Sequence, residues 1–477
     1  MTILALGGVG AASHALELED CRISAGPAYP SLSARCGTIQ RPQDPDDPDS
    51  PDLDIRVAVV PALNLTPEPD PLVPLAGGPG QGAVEFYAAY AYAFEYVRRN
   101  RDILLVDQRG TGESARMNCP IDDDLIEGQY SVEQTIEYTN DCLDALPHDP
   151  QFFTTTIAVK DLEAVRQALG YPRLNLYGVS YGTRVAQHFA RRYPDSTRTI
   201  VLDGVVPPQL VLGPEIAIEA QKALDNIFAR CAADAACNER FPDIAGSFSA
   251  LFEKLKAKPV RIRLSNPVNG EYESLRFGRN ELAAAVRLLA YHPHSIAMLP
   301  LLVSEAANGN YRPLAAQYQM TVAGLSESLA IGMHNSVMCS EDAPFFDALD
   351  IDEQALGASY IGPVQMQALE AICSVWPTGP VDDDFKLPLA VDIPTLLLSG
   401  SADPITPPAY ADIAARSLKR AWLLTLADQG HGQIAVGCMP RLIEQFVVAA
   451  SFDGVDARCR HDAFVMPFFL DFGGPSP

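Results

Sequence analysis

The chain has 477 residues, 48% of them apolar, and a formal net charge of −25. That is enough apolar chain for one large domain carrying a substantial insertion. So acidic a surface repels phosphate backbones and speaks against nucleic acid as a partner.

Residues 1–15 open with a small, apolar run, Ile3 to Ala12, followed by Ser13-His14-Ala15, a small-x-small pattern. This reads as the remnant of a signal peptide. The run is too short to span a bilayer, and no later run is longer and as apolar, so no membrane span is expected. The ten cysteines fall as near neighbours: Cys21 and Cys36, Cys119 and Cys142, Cys231 and Cys237, Cys339 and Cys373, Cys438 and Cys459. An even count in local pairs favours disulfides, and with them a secreted or periplasmic location, although sequence does not set the connectivity. None of the spacings is that of a zinc site, so no metal is expected.

The Pro- and Asp-rich stretch from Arg41 to Asp54 reads as a surface loop, and Ile55 to Pro61 as an early strand. Leu72 to Leu75 and Ile103 to Val106 are short, continuous apolar runs of the kind that form strands buried on both faces. The first ends in Gly77-Gly78-Pro79-Gly80 and the second in Asp107-Gln108-Arg109-Gly110. A helical pattern over Val159–Leu169 stops at Gly170; a strand over Leu174–Tyr177, a helix over Tyr181–Arg192 and a strand over Thr199–Leu202 come next. This alternation predicts an α/β fold, a mostly parallel sheet with helices on both faces. Residues 16–204 then form the first part of the core. From 205 to 387 the pattern turns mostly helical, as in Glu281 to Leu289, which suggests a helical cap insertion. The core resumes over 388–477, with strands at Thr395–Leu398 and Ala421–Leu426 and a helix near Arg441–Ala450.

Gly178-Val179-Ser180-Tyr181-Gly182 lies between a predicted strand and a predicted helix. A serine on so tight a turn is exposed as a nucleophile, and the two glycines leave room for the turn. The hydroxyl needs a base, and His431, in the glycine-flanked loop Asp428-Gln429-Gly430-His431-Gly432, is the best placed of eight histidines. The base needs an acid to hold its tautomer. Asp403 follows the penultimate strand, and Asp203 is its rival because it also ends a strand. The order Ser180, Asp403, His431 is the order of α/β-hydrolases. The backbone N–H groups of Tyr181 and Gly78 are placed to hold an oxyanion. Asp107 and Arg109 read as a buried polar brace, not as reactants.

Taken together, Gly-Gly-Pro-Gly, Asp-Gln-Arg-Gly-x-Gly-x-Ser, Gly-x-Ser-Tyr-Gly, Asp403 and His431 resemble the prolyl aminopeptidase and tripeptidyl aminopeptidase family of serine exopeptidases. Thr154-Thr-Thr, Asp161 to Gly170 and Val201-Leu-Asp-Gly-Val are similar as well. The resemblance implies an eight-stranded core, a cap over the serine, and an acyl-enzyme reaction on peptides or small amides and esters without a cofactor. It also implies that acidic cap residues hold the substrate's α-amino group, and Glu341 and Asp342 are the segment most like that anchor. Ala76 stands where many prolyl aminopeptidases have histidine, which leaves tripeptidyl or broader specificity open. An esterase-like hydrolase with the same triad is the alternative reading. Residue preference and oligomeric state are not legible in the sequence.

Overall fold

The computed structural model describes residues 16–119, 131–266, 270–458, 460 and 463–475. The expected leader, residues 1–15, and Cys459 lie outside the described residues. The central sheet and the inserted region are built on eleven strands. They are β1 (Glu19–Ile23), β2 (Leu32–Pro42), β3 (Asp52–Val60), β4 (Glu68–Leu75), β5 (Arg101–Val106), β6 (Leu174–Val179), β7 (Thr197–Asp203), β8 (Val260–Ser265), β9 (Tyr272–Phe277), β10 (Thr395–Gly400) and β11 (Ala421–Leu426).

The central sheet has nine strands in the order β1-β2-β3-β5-β4-β6-β7-β10-β11. From β5 to β11 all neighbours are parallel, whereas β1, β2 and β3 form an antiparallel edge. Side chains alternate across the sheet, as strand geometry requires. Leu104, Leu176, Leu202 and Leu397 pack on one face with helix Thr155–Ala168 and helix Tyr181–Arg192. Leu105, Tyr177, Val201 and Leu398 pack on the other with helix Ala83–Tyr90 and helix Met439–Ala449. The α/β fold is as expected, but the sheet has one strand more than the eight anticipated. The extra strand is β1, paired to β2 and joined to it by the Cys21–Cys36 disulfide. Most of β1 and β2 is exposed or half-buried, so neither carries the apolar run that marks a buried strand.

Four of the expected cysteine pairs are bonded: Cys21–Cys36, Cys119–Cys142, Cys231–Cys237 and Cys339–Cys373. Cys438 is also disulfide-bonded. Among the described residues, no helix is long and apolar enough to cross a membrane.

Between β7 and β10 the chain is helical apart from the hairpin β8–β9. The helical reading missed that hairpin, whose residues are mostly exposed and lack a buried-strand pattern. This region has an apolar cluster of its own, built around Phe228, Leu251, Phe277, Val286 and Leu302.

Helix Ile331–Glu341 fastens the region to the sheet. All of its residues except Ile331 and His334 are buried, which is the mark of a helix packed on every side. At its start, Ala330 N donates to the Gly80 carbonyl at 3.0 Å, and His334 Nδ1 donates to that of Pro79 at 3.2 Å. Along its side, a Cβ on Gly110 would stand 2.9 Å from Met333 Cβ, so that contact requires glycine. At its end, Asp342 is wholly buried and takes both arms of Arg184, at 2.7 and 3.1 Å. Lys386 Nζ adds a third bond at 2.7 Å, and Leu212 N a fourth at 2.9 Å. Burial pushes the Asp342 carboxyl up, but Arg184 and Lys386 outweigh it and hold it below its ordinary range.

Arg109 is the second buried anchor. It grips Asp161 with two nitrogens, at 2.7 and 2.9 Å, and also donates to the Pro42, Gln43 and Phe152 carbonyls. Asp107 accepts from the Val84 and Glu113 amides and shapes the turn after β5. The two residues are structural, as expected, but they brace different segments.

Removing one partner of a buried pair strands the other's charge, at a cost of about 3–5 kcal/mol. Arg184→Met is therefore predicted to lower unfolding stability by about that much, read as a shift in urea midpoint. Adding Asp342→Leu should recover only part of the loss, because Lys386 and the Leu212 amide then lose their acceptor. An Arg184→Met protein with the wild-type midpoint would contradict the assignment.

Candidate active site

Strand β6 ends at Val179, and the helix begins at Tyr181, leaving Ser180 on the corner at φ 56°, ψ −127°. That conformation is sparsely populated by non-glycine residues and persists only where its surroundings impose it. The surroundings do so here. A Cβ on Gly178 would stand 2.3 Å from the Gly182 carbonyl oxygen, and one on Gly182 would stand 2.1 Å from that of Leu75. Both glycines are therefore needed for the chain to cross itself this closely. Ser180 remains partly exposed while Val179 and Tyr181 beside it are buried. The helix start aims its unpaired amides toward the corner and contributes partial positive charge there.

Gly77 faces the serine: a Cβ on it would lie 3.0 Å from Ser180 Cβ. The next residue, Gly78, has φ 107°, a conformation that favours glycine. Ser180 N donates to the Asp203 carbonyl at 2.9 Å. A Cβ on Gly204 would in turn stand 3.0 Å from His431 Cε1. One on Gly432 would lie 3.9 Å from Val179 Cγ2. The serine corner, the end of β7 and the histidine loop are thus in mutual contact.

His431 Nδ1 lies 2.8 Å from Asp403 Oδ2. An ionised carboxylate only accepts, so Nδ1 carries the proton and Nε2 is left with its lone pair. Burial pulls the imidazole's pKa down, but Asp403 outweighs that and raises it above the ordinary histidine value. Asp403 is itself held: Ile405 N and Thr406 N each donate to Oδ1 at 2.9 Å, and Thr406 Oγ1 donates to Oδ2 at 2.8 Å.

Asp203, the rival acid, is occupied elsewhere. It accepts from Gln433 N at 2.7 Å, Ile434 N at 2.9 Å and the Tyr177 hydroxyl at 2.7 Å. Burial pushes its carboxyl up to about 6, against those hydrogen bonds. It pins the chain just after His431, and Asp403 is the carboxylate bonded to the ring.

The expected amine anchor, Glu341 and Asp342, is corrected by the geometry. Asp342 is matched by Arg184 and Lys386. Glu341 is wholly buried and accepts from Thr155 N at 2.7 Å and Thr155 Oγ1 at 3.0 Å. Burial raises its carboxyl above the ordinary range. Both carboxylates are wholly buried and partnered inside the protein, which speaks against either as the anchor of a substrate amine. Their reach is toward the serine from behind instead. Thr155 Oγ1 is 2.5 Å from the Tyr181 hydroxyl, which also accepts from Gln108 Nε2 at 3.0 Å. Glu341, Thr155 and Gln108 thereby hold the ring of the residue after the nucleophile.

Sequence reasoning gave no role to Thr406 or Thr155. Thr406 had a signal: a hydroxyl three residues after an acid can cap it in a local turn. The bond from Thr155 to Glu341 spans 186 positions and had no local signal. Among the described residues, no group of three or more His, Cys, Asp or Glu is placed to hold a metal ion.

A family model described as the alpha/beta hydrolase fold matches residues 70–437. Over 483 residues the chain is 24% identical to the serine protease Hip1 of Mycobacterium tuberculosis, covering 93% of this chain and 91% of that one. Over 508 residues it is 23% identical to the tripeptidyl aminopeptidase of Streptomyces coelicolor, covering 97% and 89% respectively. Among solved structures, the proline iminopeptidase of Mycobacterium smegmatis aligns with TM-score 0.43 at 14% identity, covering 87% of this chain and 98% of that one. The chain belongs to the α/β-hydrolase fold family.

Proposed function

We propose that the protein is a serine aminopeptidase, acting on peptides with a free N-terminus through an acyl-enzyme on Ser180. The observation that carries the hydrolytic reading is the 2.8 Å Asp403–His431 bond, in a loop packed against the strained Ser180 corner. Ser180 Oγ attacks the substrate carbonyl carbon while His431 Nε2 takes the hydroxyl proton. The oxyanion is held by the backbone N–H groups of Tyr181 and Gly78. The tetrahedral adduct collapses as His431 returns the proton to the leaving amine. Water, deprotonated by His431, then releases the acyl group and restores Ser180. Asp403 holds the imidazole tautomer and stabilises the imidazolium, and Thr406 holds Asp403. Every step is carried by these side chains and amides. Residues 205–387 serve as a cap over Ser180.

The peptidase assignment is supported by similarity, over nearly the full chain, to a serine protease and a tripeptidyl aminopeptidase. The net charge of −25 favours approach of a protonated N-terminus. The disulfides support a secreted or periplasmic setting.

Asp403→Asn is predicted to lower kcat by about four orders of magnitude. Asp403 is what raises His431, which acts as base only when neutral. The acid limb of the residual pH–rate profile should therefore move to lower pH in this variant. Asp203→Asn should cost far less activity in folded protein; steady-state kinetics that rank the two variants the other way would transfer the acid role to Asp203.

Matched peptide amides with a free and an N-acetylated terminus separate the peptidase reading from the esterase one. The aminopeptidase reading requires a charge-assisted contact from the protein to the amine, worth about 1.5–3 kcal/mol, so on that reading acetylation should lower kcat/KM tenfold or more. Equal values on both, alongside faster cleavage of a short-chain ester, would make the enzyme an esterase.

A further inference from the structure

We infer that Tyr291 is a positioning residue for His431, so that the base is aligned only while the region between β7 and β10 is seated on the core. This rests on the reading of His431 as the base. Tyr291 follows helix Arg279–Leu289 in that region, whereas His431 belongs to the core.

Two contacts join them. His431 N donates to the Tyr291 carbonyl at 2.7 Å. The Tyr291 ring meets the imidazole edge to face, with centroids 5.4 Å apart and planes at 78°. The first fixes the backbone of His431, and the second fixes the plane of its ring. The bond to Asp403 does neither alone, because a ring held at one nitrogen can still rock about that bond.

Gly430 shows how closely the two parts meet. A Cβ there would stand 2.2 Å from the Tyr291 carbonyl oxygen. The close approach is what demands glycine at this position. On its other side, a Cβ on Gly400, at the end of β10, would stand 2.2 Å from the Gly430 carbonyl oxygen. The histidine loop is gripped between β10 and Tyr291. The Arg287 guanidinium lies near the Tyr291 hydroxyl.

The groups facing His431 are Asp403 and Thr406 at Nδ1, Asp203 from the end of β7, and His292 beside Tyr291. Tyr291 adds no charge to this set and acts by excluding water from the imidazole. Desolvation lowers the imidazole's pKa, so removing the ring should raise it further, and a base that must be neutral will then act only at higher pH.

The test compares kcat/KM against pH for wild type, Tyr291→Ala and Tyr291→Phe, each normalised to the sites that a fluorophosphonate labels on Ser180. Tyr291→Ala should lose at least tenfold at pH 7, with its acid limb moved to higher pH. Tyr291→Phe, which keeps the ring, should restore the wild-type limb. Gly430→Ala forces Tyr291 away without altering a triad side chain and should also lose at least tenfold per labelled site. It decides the matter if Tyr291→Ala does not fold. A Tyr291→Ala or Gly430→Ala protein with wild-type kcat/KM and acid limb per labelled site would overturn the inference alone. A wild type that the probe does not label on Ser180 would overturn the catalytic reading, and this inference with it.

Discussion

The placement of the inserted region over the sheet hinges on the buried contact between Arg184 and Asp342. Arg184 lies on the helix that begins at Ser180, and Asp342 ends the helix that ties the inserted region to the sheet. Neither charge reaches water, so each depends on the buried partners around it, Arg184 on Asp342 and Glu341, Asp342 on Arg184 and Lys386. The pair therefore sets where the inserted region can sit relative to the nucleophile corner. Lys386 and the Leu212 amide complete the shell of Asp342 from two further segments. From that one point the neighbouring helix extends forward, past Gly110, to the carbonyls of Pro79 and Gly80.

The site shows how two similar carboxylates at strand ends take different parts. Asp203 ends β7, Asp403 lies in the loop just after β10, and both are buried beside His431. The difference lies in their hydrogen-bond donors. Asp203 is used by two backbone amides of the chain after His431 and by Tyr177. Asp403 takes two amides of its own loop and keeps one oxygen for Thr406 and the imidazole. One carboxylate positions the loop, and the other holds the ring. An ionised carboxylate accepts several donors but makes none, so the partner set decides the role.

Local strain and local glycine follow the same logic. The corner at Ser180 is costly in isolation and is maintained because Gly178 and Gly182 let neighbouring chain approach it. Gly430 likewise marks a place where another segment comes too near for a side chain, and Gly77 and Gly204 mark tight approaches. Such glycines are visible in the sequence, whereas the segments that press on them are not.

Buried strands and local motifs are legible in the order of the residues. Continuous apolar runs identify β5, β6, β7 and β10, because strands covered on both faces have no polar side to show. The serine corner is legible because strand, glycines, serine and helix are consecutive. The order of Ser180, Asp403 and His431 is legible for the same reason, each sitting at the end of a predicted strand. The preference for Asp403 over Asp203 is legible too, since its loop lies one helix and one strand before His431; folding in three dimensions adds what separates the two physically, their donors and the bond to His431. Folding also set the fate of Glu341 and Asp342. An acidic pair in the sequence carries no sign of whether its partners will be water, a ligand or Arg184, which lies 158 positions away from Asp342. The edge strands β1 and β2 and the hairpin β8–β9 were hidden because exposed strands are held by pairing, not by burial. Pairing is a relation between separate segments, and no single segment encodes it.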